Sequence, residues 1–241
     1  LAGASRPSRN DIFLISAPWP SRRLASRHAA KCIGVNVEAG KCSVIVIGAG
    51  PVGLTIAMDL ASRGVSVTVV EQRPRATPPS VKCNHISARS MEIFRRLGVA
   101  ATLRDAGLPP DYPHDVSYRT TATGKELARI LIPSRNGRKT GAPGPDTTWP
   151  TAEPPHRINQ IFIEPILFAH AERQSGIRIM SNTVVERFEQ DDDGVTAYLR
   201  DNETNTTSSL RGRYLVGCDG GRSSTRKAIG AVLQGDAVVQ R

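Results

Sequence analysis

Between Ser43 and Glu71 the chain carries an apolar run, Val44-Ile-Val-Ile47, then Gly48-Ala-Gly50-Pro51-Val52-Gly53, an amphipathic stretch to Arg63, a second apolar run and an acid. This order predicts strand, glycine turn, helix and strand. A short run of β-branched residues suits a parallel strand covered on both faces. Gly48 permits the tight turn, Gly50 lets phosphates approach backbone without meeting a Cβ, and Gly53 lets the helix lie close to the strand. The helix predicted over 52–63 directs its N-terminal amides and positive dipole end toward such phosphates. Ala57, one turn beyond Gly53, keeps the contact close, and Gly64 ends the helix. Glu71 follows the second strand, predicted over 65–70, where a carboxylate can accept hydrogen bonds from a ribose 2′-hydroxyl. A glycine-rich turn that binds nothing would leave Glu71 unexplained. The acid also repels a 2′-phosphate, so the implied dinucleotide is FAD or NAD rather than NADP, and the motif does not separate those two.

The 241 residues suffice for one large domain or two small ones. The formal charge of +10 divides evenly, +5 in residues 1–42 and +5 in the remainder. The longer portion has no dense basic patch with interleaved aromatics, which argues against nucleic-acid binding. Cys32, Cys42, Cys83 and Cys218 show no paired or metal-binding spacing, and the plain expectation is a reduced, cytoplasmic setting. No apolar run approaches the roughly 18 residues of a membrane span. Asn202 and Asn205 match glycosylation sequons but fall in a polar turn. Residues 1–42, rich in Arg and Ser, are compatible with a mitochondrial presequence; a non-native, poorly ordered extension is the preferred reading.

Beyond Glu71 the pattern predicts a Pro-rich link, a helix over 87–97 with Met91, Phe94 and Leu97 inward, and a short helix over 100–106. Strands are predicted over 116–120 and 127–132. Residues 133–156 read as a long irregular loop, and helix returns over 159–173. Strands over 184–190, 195–198 and 208–215, joined by polar turns, form an expected antiparallel meander. The last delivers the chain to Asp219-Gly220, with Ser223 and Arg226 at a helix start. An acid at a strand end followed by glycines, hydroxyl and guanidinium suits a nucleotide phosphate, and an N-capped helix with a surface arginine explains it equally well.

Three separated segments together resemble the flavin-dependent aromatic hydroxylases, the group-A monooxygenases of the p-hydroxybenzoate and phenol hydroxylase kind. They are the Gly48–Gly53 turn with Ala57, Gly64 and Glu71; the helix around Asn84-His-Ile-Ser-Ala-Arg89; and Asp219-Gly-Gly-Arg-Ser223-Ser-Thr-Arg226. The likeness covers residues 43–241, and Arg157-Ile-Asn-Gln160 matches that family's flavin-contacting glutamine helix. It implies an α/β fold: a Rossmann-like FAD-binding domain with an inserted meander, and substrate-domain strands around 116–132.

Carried over by position, the resemblance implies a cofactor-binding set of Gly48, Gly50, Pro51, Val52, Gly53, Glu71, Gln72, Arg73, Arg89, Gln160, Asp219, Gly220 and Arg226. Arg89 and Gln160 would approach the ribityl and phosphate region, although a surface helix charge and a solvated glutamine remain open for them. Asp219 would support FAD, and Arg226 would receive the nicotinamide nucleotide. Asn84 and His85 fall near where this family faces flavin and substrate, with a structural role expected for His85. The implied reaction takes NADH or NADPH, O2 and a phenolic substrate through a flavin C4a-hydroperoxide, the organic chemistry being the cofactor's. The catalytic residue is not identifiable, and no metal cluster or nucleophilic triad is visible. A reductase or epoxidase of the same fold, or an inactive fragment, is the competing reading. The family's downstream GDAAH segment has no convincing counterpart. Gly235-Asp236-Ala237 lies only sixteen residues after Asp219 and precedes no helix entry, so an N-terminal fragment is expected.

Overall fold

A computed structural model describes residues 13–15, 37–75, 77–79, 82–144 and 151–235. In chain order the elements are β1 (Phe13–Ile15), β2 (Val37–Ile47), α1 (Pro51–Ala61), β3 (Val67–Val70), β4 (His85–Ile86), α2 (Ala88–Arg96) and α3 (Ala100–Ala106). There follow β5 (Val116–Arg119), β6 (Glu126–Ile130), α4 (Arg135–Lys139), β7 (His156–Arg157) and α5 (Gln160–Glu172). The chain closes with β8 (Ile177–Met180), β9 (Thr183–Asp191), β10 (Gly194–Asp201), β11 (Thr207–Gly217) and α6 (Ser224–Ala228). Two compact units result, one of Leu1–Thr77 with Ala171–Arg241 and one of Pro78–His170.

The first unit is built on one mixed sheet in the order β8-β3-β2-β11-β10-β9, with β1 antiparallel against β11. From β8 to β11 all neighbours run parallel; β11, β10 and β9 form the antiparallel meander. β11 joins the two halves because it is long. Ser208 to Gly212 lie between β10 and β2, and Tyr214 to Gly217 continue beside Val44–Ile47. Ile45, Ile47 and Val70 share an apolar cluster with Val195, Ala197, Leu199, Leu210 and Leu215. Strand alternation turns Val44, Val46 and Val69 to the other face, and helix α1 packs against β2, β3 and β8. Its buried residues Gly53, Leu54, Ala57 and Met58 form one stripe. Each fully buried Leu or Ile of this kind contributes about 1.5–3 kcal/mol.

One strand boundary is corrected in this unit. β2 begins at Val37, not after residue 42, because Ser208, Ser209, Arg211 and Gly212 of β11 extend the ladder back to Val37, Glu38, Lys41 and Cys42. Phe13–Ile15 are likewise paired, with Leu215–Gly217. The sequence pattern also gives no sign of one strand: Ile177-Arg-Ile-Met180 is β8, four residues too short to announce itself by periodicity, yet placed by its pairing with β3.

In the second unit α2 is capped by the Ser87 hydroxyl, which accepts from the Ser90 amide, and ends at Gly98, whose φ of +78° suits the left-handed turn. Met91, Phe94, Leu97, Leu103, Ile163 and Leu167 are buried. The two expected strands are present as β5 and β6, which pair antiparallel, with Val116, Tyr118, Leu127 and Ile130 exposed. The segment 133–156 is less irregular than its composition suggests. Ser134 caps the short helix α4, and His156–Arg157 pair with His85–Ile86. Its residues 145–150 lie outside the described residues, as do Asp236 and Ala237. Among the described residues no helix is long and apolar enough to cross a membrane, and no cluster of His, Cys, Asp and Glu could hold a metal.

Candidate dinucleotide-binding site

Three chain segments meet at the carboxyl end of β2. The Gly48 amide donates to Val70 O at 2.8 Å, and the Cys218 amide donates to Ile47 O at 2.8 Å, so the ends of β3, β2 and β11 are tied together. Gly48 has φ +102°, and a Cβ there would stand 2.5 Å from the Cys218 carbonyl oxygen. A Cβ on Gly53 would overlap the Gly48 carbonyl. The first and third glycines are therefore required by close packing of turn, helix and the end of β11. Sequence reasoning does not single out Cys218, although its place between a buried strand and Asp219-Gly220 is the available signal.

Helix α1 starts at Pro51 with Gly50 as N-cap; no side chain caps it, and its first turn carries no acid. Pro51 lacks an N–H and is preset for the first helical position. The Leu54 amide makes the first helical bond, to Gly50 O. The end of an eleven-residue helix thus offers amides and dipole without a side-chain anion of its own. By contrast, Ser87, Ser134 and Ser223 cap α2, α4 and α6.

Glu71 is 7% exposed and bridges the second strand to the glycine turn. Its Oε2 accepts from the Ala49 amide at 2.7 Å; Oε1 accepts from the Arg73 amide at 2.9 Å and Arg73 Nε at 3.0 Å. Burial pushes the carboxyl up, but the Arg73 guanidinium and the two amides outweigh it and hold it below the usual range. Arg73 Nη2 also reaches Oε2, at 3.5 Å. An ionised carboxylate has about four acceptor sites, so a ribose hydroxyl would take the place of this longest bond. Gln72 is exposed, and its carbonyl accepts from Asn202 Nδ2.

At the end of β11, Asp219 gathers the following loop. It accepts from Ser223 Oγ at 2.6 Å, Ser224 Oγ at 3.0 Å and the Thr225 amide at 3.0 Å. Burial raises this carboxyl and those donors lower it more, leaving it below its usual value. Gly220 has φ +77°, with open space where a Cβ would project. Arg226 turns back on its own loop, Nη1 donating to Gly221 O at 3.0 Å. These contacts are those of a capped helix start, and they leave the role expected of Arg226 as a proposal.

Arg89 and Gln160 belong to the second unit. Arg89, in the first turn of α2, is 82% exposed and pairs loosely with Glu92. Gln160 opens α5, with its side-chain amide donating to Glu164 Oε1 at 2.6 Å and its backbone amide to Cys83 O at 3.1 Å.

A parallel α/β unit whose glycine turn leads into an uncapped helix, with an acid at the next strand end, defines a nucleotide-binding fold. The chain belongs to the FAD-binding-domain family, which matches residues 41–240. It is 31% identical to tetracenomycin A2 monooxygenase-dioxygenase of Streptomyces glaucescens over 81% of this chain and 36% of that protein. It is 30% identical to 2,4-dichlorophenol 6-monooxygenase of Delftia acidovorans over 80% of this chain and 32% of that protein. The rebeccamycin biosynthetic enzyme RebC with reduced flavin superposes with a TM-score of 0.65 at 36% identity, covering 81% of this chain and 35% of RebC. The flavin-dependent monooxygenase PieE in complex with FAD and substrate gives 0.70 at 27% identity, covering 83% of this chain and 34% of PieE. The chain thus spans roughly a third of the length of these relatives.

The residues of the first unit fit FAD. The acid-free helix end suits a pyrophosphate, and the buried, ionised Glu71 beside the turn suits ribose hydroxyls.

Proposed function

We propose that the chain forms the FAD-holding part of a monooxygenase that hydroxylates a phenolic or related aromatic ring with NADH or NADPH and O2. The observation that carries this reading is the uncapped N-terminus of α1 next to an Ala49 amide that fixes the Glu71 carboxylate. Relatives named 2,4-dichlorophenol 6-monooxygenase and phenol 2-monooxygenase support the substrate class.

Amides of the Gly48–Gly53 turn, including those of Gly50, Val52 and Gly53, would hold the pyrophosphate, and Glu71 the adenosine ribose. Pro51 presets the helix start, while Arg73 neutralises and orients Glu71. Asp219 holds the Gly220 loop in shape; Gln72, Arg89 and Gln160 are further cofactor contacts, and Arg226 is the contact for the nicotinamide nucleotide. Bound FAD supplies hydride acceptance and oxygen activation, with one oxygen atom entering the ring and the other leaving as water.

Two measurements on the 241-residue chain test the proposal. The first is saturable FAD binding, followed by flavin fluorescence, which Glu71→Gln should weaken at least about tenfold. The second is NADH or NADPH oxidation by the FAD-loaded protein with a panel of phenols, with hydroxylated product identified by mass. Oxidation that ignores every phenol while FAD stays bound would remove the hydroxylase reading and leave the cofactor site intact.

A further inference from the structure

The second unit gathers basic side chains around one buried nitrogen that nothing in the flavin reading uses. His114 is 5% exposed, and its Nδ1 is buried without a hydrogen-bond partner. An unsatisfied buried polar atom costs about 1–3 kcal/mol and calls for an explanation. The residue cannot easily turn away, because both sides of its backbone are fixed. Its amide donates to Ile132 O at 3.1 Å, and its carbonyl accepts from Arg157 Nη2 at 2.9 Å.

Among the described residues, the neighbours that act on this ring are basic. The His85 ring stands edge-on to His114, centroids 6.2 Å apart. Among the described residues, the groups whose charge acts most on His114 are Arg157, His85, Arg138 and His156, from β7, β4 and α4. The acid next in sequence, Asp115, is committed to the Ile132 amide and Arg129. Arg157 itself reaches the Asn84 side-chain oxygen and the His114 carbonyl, both neutral acceptors. Burial, then these basic neighbours, push the imidazole down to about 4, which keeps it neutral at physiological pH. His114 thus sits among basic groups, two of them arginines, and its Nδ1 has no hydrogen-bond partner.

We propose that His114, Arg157, Arg138 and His85 form a binding site for a small oxyanion, the carboxylate of an organic acid or the phosphate of a nucleotide. The anion accepts from an Nδ1–H of His114 and is stabilised by the surrounding positive charge, which strengthens such hydrogen bonds. Exposed His85 marks the side open to solvent. The residues of the site all belong to the second unit.

Imidazole nitrogen NMR on the full chain tests this, titrating inorganic phosphate and, separately, benzoate at constant ionic strength. The expected result is a saturable shift of the His114 resonances with at least one anion, while His170, bonded to Leu97 O, stays fixed. Saturation by phosphate alone assigns the nucleotide source, and saturation by benzoate alone the organic acid. His85→Gln, at an exposed position, should weaken the anion at least about threefold with the remaining spectrum unchanged. His114→Asn should abolish the saturable shifts of neighbouring amides. No saturation with either anion, or equal drift of every imidazole, overturns the proposal.

Discussion

The Ala49 amide donates a 2.7 Å hydrogen bond to Glu71 Oε2, so the acid that ends one strand is clasped to the glycine turn that ends its neighbour. The clasp lies beside the open helix end, so the carboxylate that fixes the turn geometry is the same one proposed above to hold the ribose.

Glu71→Gln tests the structural half of that double role. The substituted amide must present an N–H toward either Ala49 N or Arg73, both donors. A loss of about 1.5–3 kcal/mol follows for a hydrogen bond to a charged group. Urea unfolding should report it, together with weaker acid dependence. The folded carboxyl is held below 4.5, so its stabilisation is complete above 4.5 and fades as pH falls through the lower folded value. An unchanged acid limb in the variant would show that the clasp is electrostatically idle.

Substituting glycines one at a time separates space from backbone conformation. Gly64 and Gly98 both have φ +78° and nothing within 4 Å of where a Cβ would stand, so Ala costs only the left-handed strain of about 1–2 kcal/mol. Gly53→Ala has no such strain but drives a methyl into the Gly48 carbonyl, and α1 must move away from β2. It should cost more than either, at least about 3 kcal/mol, and abolish FAD binding. Equal melting temperatures for Gly53→Ala and Gly64→Ala would contradict this ranking.

These contrasts show what can be read in the residues alone. The β2-α1-β3 segment is legible because glycine, proline and acid each have one mechanical use at their spacing. The meander is legible because Asp191–Gly194 and Asp201–Thr206 are turn sequences between alternating strands. β8 is not, since four residues flanked by helix and turn carry no period and gain their structure from β3. The start of β2 escapes the pattern because Val37–Cys42 are held by a partner about 170 residues away in sequence. Position alone marks Arg73 as a cofactor contact; its pairing with Glu71 emerges only in three dimensions. The basic cluster around His114 is invisible in the sequence because its members come from β4, α4 and β7.

Arg104 and Glu153 give a prediction confined to the second unit. Arg104 Nη2 reaches Glu153 Oε2 at 2.6 Å and Pro154 O at 2.9 Å, and both charged side chains are only 14% exposed. Arg104→Met leaves Glu153 with the more distant Arg95 at 3.7 Å. Breaking a largely buried pair on one side should cost about 3 kcal/mol. Pairing it with Glu153→Leu should return part of that loss, because no charge then remains stranded. A double variant no more stable than Arg104→Met would show that the carboxylate was not the source of the cost.

The pH dependence of stability should resolve a histidine limb from the carboxylate limb. His114 is held at about 4 against an ordinary 6.5, chiefly by burial and then by Arg157, His85, Arg138 and His156. His156 is lowered in the same direction, by burial first. A depressed folded value means that the unfolded chain takes up the proton first. The stabilisation is therefore full above pH 6.5 and is lost as pH falls toward 4. For His114 it amounts to at most about 3 kcal/mol. Glu71 and Asp219 act only below the ordinary carboxyl range, so the interval from pH 6.5 to 4.5 belongs to the imidazoles. Urea unfolding in buffers free of phosphate and carboxylates should show stability falling across that interval, and His114→Asn should remove most of the slope. Saturating phosphate or benzoate, whichever binds, should flatten the slope, since a bound oxyanion favours the protonated ring and raises its folded value toward 6.5. A wild-type curve flat between those two pH values would contradict a buried neutral His114.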